Sequence, residues 1–233
     1  MSNLQLRIIS AVVLAAVVLT VTWFGGSAFR VLSAAIALAI FFEWSRMSEP
    51  PEGRAWSAGG LSYLPEVLIL VVAIGIVAGL PAATLLAILA AACVIAAVLS
   101  KIRGYGQWPA AGLAYAGLSG IALSLLRDGD RAGLYAILFL FAIVWSTDIF
   151  AYFVGRAVGG PKLAPSISPG KTWSGAVGGT VAGVVAAVCV ALLLDSPHVA
   201  LLGTAAIFLS AVSQIGDLFE SWVKRRHGVK DSG

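Results

Sequence analysis

Eight long apolar runs, at residues 4–23, 28–47, 64–80, 82–100, 109–126, 132–155, 174–194 and 198–222, are separated by short polar stretches. Each approaches the roughly 20 residues that a helix needs to cross a hydrocarbon layer about 30 Å thick. In lipid the backbone must satisfy its own N–H and C=O groups within the segment, so runs of this length read as helices. The pattern predicts an all-α polytopic membrane helix bundle of about eight transmembrane helices. It forms a single transmembrane domain over 1–233, with N-terminal helices through residue 126 and a motif-bearing region over 132–233. Only Gly79, Leu80 and Pro81 divide the third run from the fourth, which predicts a tight hairpin; one kinked segment is the other reading. No small-x-small cleavage site follows the first run and a second run begins almost at once, so it reads as a span rather than a signal peptide.

Against this apolar background two acids stand out. Asp148 lies inside the sixth run, eight residues before Arg156, and Asp217 lies inside the eighth, seven residues before Lys224. At 1.5 Å per residue both sit about 10 to 12 Å from the ends of their helices, the equal depth that a shared site requires. A charge at that depth is costly in lipid and needs a partner, a metal or a function. Ser213, Gln214, Asp217, Glu220, Ser221 and Lys224 recur at helical spacing and predict one polar stripe; Trp145, Asp148, Tyr152 and Gly155 form a similar face on the sixth helix. Gly175, Gly179 and Gly183 recur every four residues, a pattern for close helix contact. The loop SEPPEGRAWSAGG reads as an ordinary polar connection.

Composition sharpens this picture. Hydrophobic residues make up 60% of the chain and charged residues 11%, against about a quarter charged in a soluble domain. The net charge of +4 does not point to nucleic acid, because the basic residues follow membrane topology. Arg7, Arg46, Arg54, Lys101, Arg103, Arg156, Lys162, Lys171, Lys224, Arg225, Arg226 and Lys230 fall on one side of the predicted bilayer, and Arg30, Arg127 and Arg131 on the other. That split of 12 to 3 supports the helix count and predicts a multi-pass protein with a cytoplasmic N-terminus and with the Asp148 loop and the tail on the cytoplasmic side; the expected location is the cell inner membrane. Cys93 and Cys189, both within apolar runs, read as packing thiols and not as a disulfide.

The segment SPGKTW carries the GKT of a phosphate-binding loop but has Pro165 where that loop needs glycine. Its local physics still suits an anion: Ser168 is expected to cap a short helix with Pro169 in first position, aiming free N–H groups and Lys171 at a phosphate. His198 and His227 belong to no zinc-spaced set, and no nucleophile signature occurs. Carboxylates, serines and lysines fit Mg²⁺-dependent phosphate chemistry better than acyl transfer.

Asp148, Ala151, Tyr152, Gly155 and Arg156, followed by KLAPSISPGKTW and two glycines, resemble the phosphatidate cytidylyltransferase (CDP-diacylglycerol synthase) family. Ser221, Lys224, Arg225, Lys230, Asp231 and Gly233 resemble the first part of that family's C-terminal signature, with a weaker likeness of layout at Glu43, Trp44 and Tyr115. The resemblance implies a membrane enzyme that takes CTP and phosphatidate to CDP-diacylglycerol and pyrophosphate in phospholipid biosynthesis. It further implies a homodimer, Mg²⁺ as cofactor and a second, monovalent cation such as K⁺. Asp217 would be a metal ligand and Ser221 and Lys224 would belong to the active site, with Asp148 expected beside them as a catalytic acid and second metal ligand. Ser168, Lys171 and Thr172 would face substrate, with Lys162, Arg225, Lys230 and Asp231 as further substrate-binding residues. Gly170 and Ser174 stand where the family usually has a basic residue and a glutamate. The family signature continues past the position of Gly233 with an aspartate that binds metal, so the expectation is a C-terminally incomplete chain. Two alternatives remain at this point: an inactive fragment of the enzyme, and a cation- or proton-coupled transporter in which Asp148 and Asp217 relay charge.

Overall fold

The computed structural model describes residues 3–48, 63–102, 106–129 and 131–229. Within them are eight helices: α1 (Asn3–Phe24), α2 (Gly26–Ser48), α3 (Leu64–Ala78), α4 (Ala82–Ile102), α5 (Trp108–Arg127), α6 (Arg131–Val158), α7 (Trp173–Leu193) and α8 (Val199–Arg226). A short hairpin, β1 (Lys162–Ala164) and β2 (Ser168–Thr172), joins α6 to α7. Six helices, α2 and α4 to α8, are long and apolar enough to cross a membrane. The apolar stretch of α1 (Ile8–Phe24) and the 15-residue α3 are shorter. The chain is an all-α polytopic membrane bundle. The polar loop over 49–62, Lys230 and Asp231 lie outside the described residues.

The fold divides into two compact units, Met1–Leu134 with Ser232–Gly233, and Tyr135–Asp231. The first is built mainly on large apolar side chains, with Ala34, Ala73, Ala96 and Ala116 among them. Phe41 from α2, Ile69, Val72 and Ile76 from α3, Leu85 and Leu89 from α4, and Leu113 and Ile121 from α5 form one buried cluster. The turn between α3 and α4 is the expected hairpin: Gly79 takes the left-handed conformation (φ 69°), its N–H reaches Ile76 O, and Leu80 N–H reaches Gly75 O. These two bonds satisfy carbonyls that the end of α3 would leave open. Trp44 is buried, donates its indole N–H to Trp108 O at 2.9 Å and packs against Tyr115.

Arg127 accounts for its own burial. Its Nε donates to Thr22 O at 2.7 Å, and its terminal nitrogens donate to Trp23 O and Gly129 O, both at 3.3 Å. A fixed positive charge on the last carbonyls of α1 complements the negative end of that helix. Asp128 next to it pairs with Arg30 at 3.3 Å.

The second unit is built on small residues. Ile143, Ala187 and Ala206 form its buried cluster, flanked by Phe139, Val184 and Leu209. α7 meets α6 through the glycines every fourth residue: a Cβ on Gly175 would lie 2.6 Å from Ala151 O, and one on Gly179 2.6 Å from Thr147 O. Without side chains there the two backbones touch, which in lipid supplies the packing that a hydrophobic driving force cannot. At the end of α6, Gly159 and Gly160 both have positive φ (65° and 103°) and turn the chain into the hairpin.

Candidate active site

A cavity of about 620 Å³ opens within the second unit, in the size range of small-molecule sites. α6 lines it with Asp148, Ala151, Tyr152, Gly155 and Arg156. The connection and hairpin add Gly159, Gly160, Lys162, Leu163, Gly170, Lys171 and Thr172. α7 adds Gly175 and Ala176, and α8 adds Gln214 and Asp217. Both acids that the sequence singles out therefore face one space. α6 runs to Val158 and α8 to Arg226, beyond the ends of the apolar runs, because the interfacial turns stay helical after the hydrophobic stretch stops. Counted from those ends the acids lie about 15 and 13 Å deep at 1.5 Å per residue, still at matching depth.

The hairpin corrects one expectation. Ser168 and Pro169 begin no helix; they belong to β2, with Ser168 opposite Ala164 and Thr172 opposite Lys162 across a bulged antiparallel pair. The cap of α7 is Thr172, whose Oγ1 accepts from Gly175 N–H at 3.1 Å. Pairing with β1 satisfies the backbone of this segment, so the helix starts four residues later than Pro169 suggests. Ser174 Oγ bonds to Gly159 O and lies 3.0 Å from Thr172 Oγ1, which ties the start of α7 to the turn after α6. Lys171, carried on β2, reaches Asp217 at 3.1 Å.

A seam of hydroxyls and one amide adjoins the cavity through Gln214. Thr147 Oγ1 lies 2.9 Å from Ser210 Oγ, both fully buried; Ser210 Oγ donates to Thr180 Oγ1 at 3.3 Å, and Gln214 Nε2 donates to Thr180 Oγ1 at 3.0 Å. The seam links α6, α7 and α8 one residue from Asp148 and three from Asp217. Sequence reading places Gln214 on the polar stripe of α8 but misses Thr147, Thr180 and Ser210, since single hydroxyls inside apolar runs carry no periodic signal. Tyr152 and Arg156 were legible at i and i+4 on the helix of Asp148, and the structure places both at the cavity.

Other residues named from sequence lie elsewhere. Ser168 is half-buried on β2 and does not line the cavity. Ser221, one turn beyond Asp217, is half-buried, and Lys224 pairs with Glu220 at 2.5 Å. Arg225 Nε donates to Ile167 O at 3.4 Å. His227 ends α8; burial, with the Arg226 charge beside it, holds its imidazole below the ordinary value. Cys93 is half-buried and Cys189 exposed on α7, and no disulfide joins them. Among the described residues no three His, Cys, Asp or Glu come together. Two carboxylates in a shared cavity nonetheless match a hard divalent cation whose shell is completed by substrate phosphates.

A membrane bundle that gathers two carboxylates and a lysine-bearing hairpin around one cavity suits one class, membrane enzymes of phosphate chemistry. The chain belongs to the cytidylyltransferase family, whose model matches residues 5–233. It is 49% identical over 235 residues to the phosphatidate cytidylyltransferase of Brucella abortus biovar 1 (strain 9-941), covering 100% of this chain and 84% of that protein. It is 36% identical over 247 residues to the phosphatidate cytidylyltransferase of Pseudomonas aeruginosa, covering 98% and 86%. To the enzyme of that name in Bacillus subtilis it is 41% identical over 111 residues, 46% and 40% of the two chains. The family membership decides between the enzyme and transporter readings in favour of the enzyme.

Proposed function

We propose that this protein takes CTP and phosphatidate to CDP-diacylglycerol and pyrophosphate. An oxygen of the lipid phosphate forms a bond to the α-phosphorus of CTP, the bond from that phosphorus to the β-phosphate bridging oxygen breaks, and pyrophosphate leaves with the electron pair. The chemistry asks for alignment and charge neutralisation more than for a protein nucleophile. The observation that supports the reading best is the meeting of Asp148, Asp217, Lys162 and Lys171 in one cavity.

Asp148 and Asp217 would hold Mg²⁺, which when bound neutralises triphosphate charge; a second, monovalent cation belongs to the same proposal. Lys162 and Lys171, presented by the hairpin, bind phosphate oxygens. Lys171 exchanges its contact with Asp217 for the substrate. Thr172 holds the start of α7 against α6 and so fixes the hairpin that carries Lys171. Ser168, Ser221, Lys224 and Arg225, which lie outside the cavity lining, would border the site along the hairpin and the last turns of α8. Assembly as a homodimer in the bacterial inner membrane, with the site open to the cytoplasm, completes the proposal; the basic residues of one side support that orientation.

The test is pyrophosphate release by the purified protein in mixed micelles with phosphatidate, CTP and Mg²⁺. Asp217→Asn is expected to lower the rate by about 100-fold or more while detergent-solubilised protein keeps its melting temperature. Parent protein that makes no CDP-lipid, yet moves cations across liposome membranes, would overturn the proposal.

A further inference from the structure

Arg156 and Tyr152 are absorbed by neither the carboxylates nor the lysine hairpin. Arg156 Nη1 donates to Tyr152 Oη at 2.9 Å, and both side chains line the cavity. Among the described residues Arg156 has no carboxylate partner, whereas Lys171 is paired with Asp217. It is thus an uncompensated charge, and its remaining N–H donors have no protein acceptor among those residues. Having accepted from Arg156, the Tyr152 hydroxyl keeps its proton to donate. A planar cation beside a phenol O–H offers several donors to one tetrahedral anion, and the guanidinium fork suits phosphate oxygens.

The place of the pair on α6 says which phosphate. Ile149, Tyr152, Phe153 and Arg156 follow helical spacing along one stripe. Ile149, Tyr152 and Phe153 are exposed by 52%, 58% and 61%. On a membrane-spanning helix an exposed apolar stripe faces acyl chains. Tyrosine and arginine at its end sit where apolar bodies meet polar headgroups. The stripe therefore runs from lipid into the cavity and ends on a phosphate-binding pair. Lys162 and Lys171, by contrast, stand on the hairpin outside the helix.

We infer that Arg156, held by Tyr152, is the subsite for the phosphate monoester headgroup of the lipid substrate and sets the preference for a lipid acceptor. The inference rests on the proposed function and deepens it. Arg156→Gln is expected to raise the apparent KM for phosphatidate, expressed as mole fraction in mixed micelles, by tenfold or more. The KM for CTP should stay within about twofold. Tyr152→Phe, which keeps the ring and removes the hydroxyl, should raise the phosphatidate KM by about threefold to tenfold. Arg156→Lys should recover only part of the loss.

Binding of dioctanoyl phosphatidate, followed by calorimetry without CTP, gives a readout independent of turnover and should weaken in the same order. If Arg156→Gln does not fold, Tyr152→Phe decides by the same comparison. Unchanged phosphatidate binding in the variants overturns the inference, and so does a rise in the CTP KM equal to that for the lipid. A variant that loses inhibition by inorganic phosphate while keeping its phosphatidate KM overturns it too, because the pair then serves free phosphate. Parent protein that binds phosphatidate through Arg156 but makes no CDP-lipid would sink the proposed reaction and leave the subsite standing.

Discussion

The two units of this chain weight large and small side chains differently in solving the same packing problem. In Met1–Leu134, branched and aromatic side chains from α2 to α5 interdigitate, and Leu113 and Ile76 are fully enclosed. In Tyr135–Asp231 the buried cluster is one isoleucine and two alanines, and the helices close through glycine and hydroxyl contacts. Large side chains hold helices apart at a distance they fill. Small ones let two backbones touch, and polar groups can then be satisfied between helices without water. The cavity and both acids belong to the second kind of packing, where a carboxylate inside a span can find hydroxyls, an amide and a lysine around it.

This contrast predicts a graded response to substitution. The largest effect is expected at Gly179→Val, where the new branch meets the backbone carbonyl of Thr147 rather than a side chain that can move aside. About 3 kcal/mol of destabilisation and loss of pyrophosphate release should follow, read from detergent melting curves and the micelle assay. Unchanged melting would show that α6 and α7 do not rely on backbone contact. In the other unit, Leu113→Ala removes volume from a fully enclosed position and should cost about 2 kcal/mol while leaving activity per folded molecule intact. A drop in specific activity as large as that of Gly179→Val would break the comparison.

Ser210→Ala leaves Thr147 without its hydroxyl partner at a fully buried position and should cost about 1 kcal/mol. Because the seam reaches the cavity through Gln214, which lines it with Asp148 and Asp217, activity should fall by more than the loss of folded protein accounts for. Equal losses would reduce the seam to packing alone. Glu220→Gln breaks an ion pair whose glutamate is half-exposed and should change stability by less than about 0.5 kcal/mol.

The smallest effect concerns pH. His227 has its pKa lowered by burial and by the charge of Arg226, so the unfolded chain takes up a proton at higher pH than the folded one. The stability this favours is present above the ordinary histidine value near 6.5 and is lost as pH falls below it toward the folded value. His227→Gln should therefore lose less melting temperature between pH 7.5 and 5.5 than the parent protein does. An identical pH slope would remove the histidine from the balance.

Hydropathy alone set the helical class and the number of long runs, because lipid forbids unpaired backbone and leaves a 20-residue apolar segment one regular solution. Local pattern also picked out Asp148, Asp217 and the glycines of α7, since a charge or a four-residue repeat in an apolar run is conspicuous without any knowledge of contacts. Tertiary structure decided the rest. It made a strand of the segment expected to start a helix, because Lys162–Ala164 offered a partner for its backbone, and moved the cap to Thr172. It joined Thr147, Thr180 and Ser210, three hydroxyls distant in sequence and indistinguishable from helix filler until three helices bring them within bonding distance. It also selected, from the polar stripe of α8, Gln214 and Asp217 for the cavity and left Glu220 to pair with Lys224. A stripe fixes only a direction around one helix axis; which part of it meets a neighbouring helix depends on where that neighbour begins and ends.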